Sequence, residues 1–429
     1  MPKMNAGPII ARSGATGAGA GSSVIVAGAG IISSIGNNID ECLSALENGL
    51  AGMGAVTYLE TAHRQRIPVA EVKMSNAALA EVAGRNPPGA PGSRNRIPAV
   101  SRTALLSLIA AKEALENAAI QNIRSLRTGF VSANTVGGMD TTEKFFAAFL
   151  ADPANGKLRE VLHHECGSIT EWVADRLGIR DYLTTISTAC SSSANAIFFG
   201  ARLIRNGMLD VVVAGGTDAL TKFTLNGFNS LMILDAGYCK PFDDERRGLN
   251  LGEGAGYLVL VSDRVAATLG KGVLCDLSGY CNANDAFHQT ASSPDGRGSY
   301  LAMKGALQRS GLQPSDIDYI NLHGTGTQNN DLAEGTAISR LFGQGYPPMS
   351  STKSFTGHTL GASGGIEAVF SALAIRYGLI YPNLRFQTPM AELSLAPETK
   401  FLKDQPIRYV LSNSFGFGGN CSSLIFSKR

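Results

Sequence analysis

An α/β architecture built on a mostly parallel sheet is what this chain predicts, and three observations carry the prediction. Short apolar or β-branched runs alternate with stretches of helical periodicity along its length. The run Asp210-Val211-Val212-Val213-Ala214-Gly215-Gly216 is almost wholly apolar, as a strand covered on both faces must be. The chain also carries a weak internal repeat: Ala114-Leu115-Glu116-Asn117, through Ile120 to Ile123 and on to Gly129–Asn134, parallels Ala306-Leu307-Gln308-Arg309, through Leu312 to Ile317 and on to Tyr319–His323. Each copy reads as a helix, a short loop and a strand ending in a polar turn. Two related halves would set both groups of turns at one crevice, where open α/β sheets bind ligands beyond their strand C-termini.

The elements follow in order. Residues 1–22 read as a flexible extension, because Gly14 to Ser23 is made wholly of Gly, Ala, Thr and Ser and lacks the apolar core of a signal peptide. Val24-Ile25-Val26-Ala27 is a β-branched run that should end in a tight turn at Gly28 and Gly30, before a helix from Ile39 to Leu46. Asn86 to Pro98, with four prolines and two glycines, reads as a surface loop. Ser101 to Ala119 carries Leu105, Leu108, Ile109 and Leu115 interleaved with Lys112 and Glu113, the pattern of a helix lying on a sheet. Tyr182–Ile186 is a strand, Ala194–Arg205 a helix, and Arg408–Leu411 a strand before the Gly-rich loop Asn413–Gly419. The expected division is an N-terminal half over 23–265 and a C-terminal half over 266–429.

Composition narrows the function classes. Of the 429 residues, 44% are hydrophobic and 17% charged, and the net charge is +2, which gives no electrostatic case for nucleic acid or a membrane surface. No run approaches the length of a spanning helix. The seven cysteines form no CxxC pair and no regular spacing, which points to a reducing cytoplasm rather than a disulfide framework.

One of those cysteines carries the chemistry. Cys190, in Ser187-Thr188-Ala189-Cys190-Ser191-Ser192-Ser193, lies between the strand and the helix just named. A thiol there meets unpaired N–H groups and the positive end of a helix dipole, which should lower its pKa from about 8.5 toward neutrality. The bland alternative is a buried small hydrophobe. Two histidines in Gly-rich turns, His323 in Asn321–Thr327 and His358 in Lys353–His358, turn the choice toward a nucleophile. A thiolate suits thioester exchange to an acyl-enzyme. Two neutral Nε2–H groups aimed at one point suit a developing enolate oxygen, so carbon–carbon bond formation is favoured over hydrolysis.

Other residues are weighed beside this set. Lys353 is either a cation biasing both imidazoles or a surface lysine capping a turn. The segment Asn413-Ser414-Phe415-Gly416-Phe417-Gly418-Gly419 supplies either an oxyanion hole and an aromatic gate or merely packed turn residues. Thr325 and Thr327 suit an amide-rich pantetheine arm. His63 reads as solvated, His288 as supporting or structural, and the cluster His163, His164, Cys166 lacks a second ligand pair at zinc-site spacing, so no metal is expected.

The combination resembles the elongating β-ketoacyl-acyl-carrier-protein synthases of the thiolase superfamily over nearly the whole chain, Val24 to Ser427. The residues that carry the likeness are Thr188–Ser193, His323-Gly324-Thr325-Gly326-Thr327, Lys353–His358 with Leu360–Glu367, Leu251-Gly252-Glu253-Gly254-Ala255-Gly256, and Asn413–Gly419. The resemblance implies a five-layered αβαβα thiolase-like fold with duplicated halves, a dimer, and decarboxylative Claisen condensation without metal or organic cofactor. It makes Cys190 the acyl acceptor, and it has His323 and His358 assist decarboxylation of carrier-bound malonyl and hold the enolate. Lys353 would tune that pair. It assigns the Cys190 and Phe417 amides to the oxyanion hole, Phe417 to a gate, Thr325 and Thr327 with Phe415 and Phe228 to substrate binding, and Glu367 and Asn420 to support. The implied partners are an acyl carrier protein and a second subunit, either an identical copy or a chain-length-factor-like chain.

Two departures are visible. Gly418-Gly419-Asn420-Cys421 stands where fatty-acid members read Gly-Gly-Thr-Asn, and Gly227-Phe228-Asn229-Ser230-Leu231-Met232 lacks the carrier-docking Arg found there. The three serines after Cys190 and the Gln328-Asn329-Asn330-Asp331 tail resemble polyketide or aryl-polyene-like ketosynthases, so both pathways stay open. The competing readings are a catalytically silent chain-length factor, a coenzyme-A-dependent thiolase using Cys421, and a dinucleotide-binding oxidoreductase suggested by Gly28-Ala29-Gly30 but lacking the third glycine, with Ser33 in its place.

Overall fold

The computed structural model describes residues 23–84, 100–120, 123–270 and 272–429. The expected extension over 1–22 and the Asn86–Pro98 loop lie outside them. The first half of the chain runs β1 Val24–Ser33, α1 Ile39–Glu47, α2 Asn76–Val82, α3 Arg102–Ala118, β2 Thr128–Ala133, α4 Met139–Ala151 and α5 Cys166–Leu177. It continues with β3 Tyr182–Ile186, α6 Ser192–Arg205, β4 Val211–Asp218, α7 Lys222–Ser230, β5 Gly254–Ser262 and α8 Asp263–Ala266. The second half holds β6 Cys275–Asn284, α9 Arg297–Ser310, β7 Tyr319–Asn321, α10 Gln328–Phe342 and β8 Met349–Ser350. It ends with α11 Lys353–Thr356, α12 Ser363–Tyr377, β9 Tyr409–Gly416 and β10 Asn420–Ser427.

The strands hydrogen-bond in the order β3-β2-β4-β5-β1-β6-β10-β9-β7-β8. Counted from each outer edge, both halves repeat one order: third, second, fourth, fifth, first. Only Ile25–Asp276 and Val26–Cys275 pair across the seam between β1 and β6. The sheet is mixed rather than mostly parallel. Pairs β2–β3, β2–β4, β7–β8 and β7–β9 are parallel, whereas β4–β5, β1–β5, β1–β6, β6–β10 and β9–β10 run antiparallel. The reason is that crossover helices precede only the outer strands, while β9 turns straight back into β10 through Phe417–Gly419. The strand expected to stop at Leu411 therefore reaches Gly416, and the Gly-rich loop shrinks to that three-residue turn.

Alternation along the strands divides most of their apolar residues among three cores. Val212 and Ala214 of β4 pack with Ala196, Ile197, Ala201 of α6 and Ile366, Val369, Phe370 of α12 in a central layer. Val211 and Val213 face the other way, toward Leu105, Leu106 and Ile109 of α3 and Val173 of α5. Met303 and Leu307 of α9 with Ala337 and Ile338 of α10 cover Ile320, Leu411 and Ile425 on the outer face of the second half. Helix, strand, helix, strand, helix is the five-layered arrangement expected.

Gly28 and Gly30 form no turn: β1 continues through both to Ser33. A register shift between Val26 and Gly28 instead exchanges the two faces, so that Val24 and Val26 but then Ala29 and Ile31 point to the central layer. The glycines are there for α3. A Cβ at Gly28 would lie 2.3 Å from the Ala114 carbonyl oxygen, and one at Gly30 only 2.1 Å from that of Ala110. This placement within a strand also removes the dinucleotide-binding reading. Gly30→Ala should therefore lower unfolding stability by about 1–3 kcal/mol in a urea titration, whereas Gly54→Ala, where nothing lies within 4 Å, should leave it unchanged. An unshifted Gly30→Ala midpoint would show that α3 can move away.

Candidate active site

Cys190 sits at the bend between β3 and α6, two residues before the first helical residue. The bend is tied by its own side chains. Ser191 Oγ donates to the Thr188 carbonyl at 2.8 Å, Thr188 N–H donates to Ser192 Oγ at 2.8 Å, and Asn195 Nδ2 donates to Thr188 Oγ1 at 2.8 Å. Ala189, just before the sulfur, is held in the left-handed region at φ 52°. Such a conformation in a non-glycine residue costs roughly 1–3 kcal/mol and persists only where its surroundings impose it.

The gate turn is built against this bend. A Cβ at Gly416 would stand 3.0 Å from the Thr188 carbonyl oxygen and 3.1 Å from the Cys190 nitrogen, so β9 ends directly on the nucleophile segment. The Phe417 N–H points at the Cys190 sulfur. Asn420 Oδ1 accepts from Asn195 Nδ2 at 2.8 Å and Asn282 Nδ2 at 2.7 Å, and it lies 2.8 Å from Ser191 Oγ. That asparagine binds the gate to the first turn of α6, which gives the departure at position 420 its own hydrogen-bonding role. The Phe417 ring stacks on Phe228 from α7 at 5.9 Å between centroids.

His323 follows β7 and His358 follows α11. Their rings stand 5.5 Å apart and nearly perpendicular, at 88°. The tautomers follow from their partners. Lys353 Nζ lies 3.2 Å from His323 Nδ1, and an ammonium can only donate; the Leu360 N–H donates to His358 Nδ1 at 3.1 Å. Each ring therefore carries its proton on Nε2. Burial holds both imidazoles well below the usual histidine range, and the Lys353 charge pushes them further down. Both are neutral donors near pH 7, as the enolate reading requires.

Lys353 is 1% exposed, which removes the surface-lysine alternative. Its Nζ also donates to the His323 carbonyl at 2.7 Å and forms a salt bridge with Glu367. Burial pushes the Glu367 carboxyl up to about 7 against the pull of that ammonium. The thiol departs from expectation. Burial pushes Cys190 up to about 11, outweighing the Lys353 charge and the Phe417 N–H, because a cysteine only 6% exposed has little water to stabilise its anion.

A cavity of about 350 Å³ gathers these groups. Cys190, His323, His358, Thr325, Thr327, Phe415, Phe417 and Phe228 all line it, and Cys421 does so too. Lys353, Glu367 and Asn420 stand behind the lining. Thr325 and Thr327 share a hydroxyl contact at 2.9 Å, and Phe415 meets the His323 ring edge-on at 5.8 Å. The remaining candidates lie elsewhere: His63 bonds Asn226 at 2.9 Å, His164 bonds Thr142 at 3.0 Å, and exposed His288 accepts from the Thr290 N–H. Among the described residues no His, Cys, Asp or Glu group has the arrangement of a metal site.

Sequence reasoning missed Glu334. Its carboxylate accepts the N–H groups of His323 and Gly324 at 2.9 and 2.8 Å and the Asn413 amide at 3.0 Å, fixing the histidine turn from α10. An acid about two turns into a helix, among apolar and small neighbours, was the available signal. Asp331 similarly receives Thr325 N–H at 2.9 Å and Gly326 N–H at 3.1 Å.

Known proteins are similar to this chain over most of its length. The chain is 31% identical to the 3-oxoacyl-[acyl-carrier-protein] synthase 2 of Staphylococcus aureus strain N315, covering 94% of this chain and 98% of the relative. The ishigamide ketosynthase/chain length factor superposes with a TM-score of 0.87 at 28% identity, over 95% of this chain and 99% of that one. A ketosynthase complex with a type II polyketide acyl-carrier protein, AntDE:AntF, gives 0.83 at 25% identity over 95% and 100%. The family models of the β-ketoacyl synthase N-terminal and C-terminal domains match residues 21–266 and 274–387, between them spanning the bend at Cys190, the His323 turn and His358. The chain belongs to the β-ketoacyl synthase family.

Proposed function

We propose that this enzyme extends an acyl chain held on Cys190 by decarboxylative condensation with a malonyl group on an acyl carrier protein. The observation that carries the reading is the meeting, at one cavity, of a buried sulfur with two imidazoles whose Nε2–H groups are both free to donate. In the first half-reaction the Cys190 sulfur attacks the incoming thioester carbonyl, with the Phe417 and Cys190 N–H groups stabilising the oxyanion. The carrier thiol leaves with the cysteine's proton. In the second, loss of carbon dioxide leaves its electron pair on the malonyl α-carbon, and the enolate oxygen accepts from His323 and His358. That carbon attacks the acyl carbonyl and expels the Cys190 thiolate, which is reprotonated.

Lys353 acts through His323 by keeping its Nδ1 occupied, and Glu367 balances that charge. Thr325 and Thr327 suit the amides of a pantetheine arm, and Phe415 and Phe228 its apolar surroundings. These side chains and backbone donors suffice for the chemistry without a metal or organic cofactor.

Solved relatives pair a ketosynthase with a chain length factor and with a carrier protein, and a second subunit suits this chain too. Phe146, Leu150, Leu158 and Leu162 are exposed, as is Leu183 on the outer strand β3. Either an identical copy or a chain-length-factor-like chain fits that surface, and both the polyketide-like and fatty-acid-like pathways fit the site. All seven cysteines are unpaired, and no helix among the described residues is long and apolar enough to cross a membrane. Both facts support a cytoplasmic enzyme.

Intact-mass analysis with acyl carrier proteins checks the division of labour. Cys190→Ala should lose the acyl adduct, whereas His323→Ala and His358→Ala should keep it and fail to condense; persistent acylation of Cys190→Ala would refute the assignment. The thiol should also show its burial. Iodoacetamide trapping of Cys190 should accelerate about tenfold per pH unit through pH 9, since the thiolate fraction keeps rising until pH passes the thiol pKa. A rate plateau near pH 7 would contradict it.

A further inference from the structure

We infer that Asp218, the last residue of β4, is a positioning residue for condensation: it holds the backbone whose N–H keeps His358 an Nε2–H donor. This rests on the ketosynthase reading above. His323 takes its tautomer from the Lys353 ammonium, whereas the partners of His358 Nδ1 are a backbone N–H and a hydroxyl. The Leu360 N–H donates to that nitrogen at 3.1 Å, and Ser363 Oγ lies 3.1 Å from it. The ring's proton therefore follows the placing of residues 360–363.

Gly361 is gripped from both sides. Its N–H donates to Asp218 Oδ2 at 2.7 Å, and its carbonyl accepts the Ser193 hydroxyl of α6. That grip sets Leu360, which sits at φ 53°, a left-handed conformation that a leucine keeps only where its surroundings impose it. The approach of the acid also explains the glycine. A Cβ at 361 would stand 2.7 Å from Asp218 Oδ2.

Asp218 is fixed in turn. It is 0% exposed, and its carboxylate also accepts the Thr135 N–H at 2.9 Å, the Thr135 hydroxyl at 2.6 Å and the Val136 N–H at 3.1 Å, all from the turn after β2. Burial pushes the carboxyl up to about 6, which leaves it an anion near pH 7. A charge buried against N–H and hydroxyl donors, with no cation among them, is a costly way to fill space. What it gains is charge-assisted hydrogen bonds to two segments from opposite halves of the chain, which lock the backbone beside His358 onto the first half.

Asp218→Asn tests this by setting an amide donor against N–H donors. Condensation kcat should fall by about ten- to a hundredfold with KM for the malonyl carrier nearly unchanged, the size of effect expected from a misplaced catalytic group. Acylation of Cys190, followed by intact mass, should not slow, because the Asp218 charge is one of the influences that raise that thiol's pKa. Histidine nitrogen NMR, with the His358 signal assigned by its loss in His358→Asn, should show the Nε2–H tautomer in the wild type and a mixture with Nδ1–H in Asp218→Asn. An unaltered His358 spectrum would overturn the inference whatever the rate, and so would acylation that falls as far as condensation. If Asp218→Asn does not fold, Thr135→Val, which removes only the hydroxyl donor, must show a smaller change of the same kind in both kcat and spectrum. Wild-type protein that is acylated but never condenses would instead overturn the ketosynthase reading, and the tautomer would still decide the role of Asp218.

Discussion

The buried ammonium of Lys353 is the constraint on which the site depends. It carries a full charge at 1% exposure, so it needs a counter-charge, and Glu367 from α12 supplies one. The same nitrogen reaches both the Nδ1 and the carbonyl of His323, which fixes that ring's orientation and its tautomer together. Burial keeps His358 neutral, and the field of that ammonium adds to the effect. Burial and this one cation together hold both histidines below the usual imidazole range, as neutral donors.

That arrangement also explains what the site lacks. With both Nδ1 atoms already accepting, neither imidazole offers a lone pair to Cys190, and the thiol stays protonated in its apolar surroundings. The exchange of one thioester for another tolerates this, because the departing thiol takes the proton that the attacking one gives up. A hydrolase, which must deprotonate water, would need a base here. The set of partners around the two rings therefore favours acyl exchange and enolate capture over hydrolysis.

Much of this was legible in the residue order, and the unread part has physical causes. The slots at Cys190, His323 and His358 were readable because each lies where an apolar run gives way to glycines or small polar residues. The strand directions were not, since a sequence does not reveal whether Asn413–Gly419 is an open loop or a hairpin turn between β9 and β10. Gly28 and Gly30 signal a close approach, but nothing local says whether the visitor is a turn or a helix 80 residues away; it is Ala110 and Ala114 of α3. The thiol's ionisation depends on burial from distant segments, and there the local dipole argument gave the wrong sign. Glu334 escaped notice for a related reason, because its partners just after β7 and on β9 meet it only in the folded chain.

The repeated strand order has a consequence for how such a site arises. In each half the third strand is followed by a bend and then by a helix of the central layer: β3, Cys190 and α6 in one, β8, the Lys353–His358 segment and α12 in the other. The two bends are equivalent places in a duplicated unit. Pseudo-symmetry brings them face to face across the stacked helices α6 and α12, so a gene doubling alone provides two opposed positions a short distance apart. Divergence then had only to fill them differently, sulfur in one and imidazole in the other, and neither half by itself contains an enzyme.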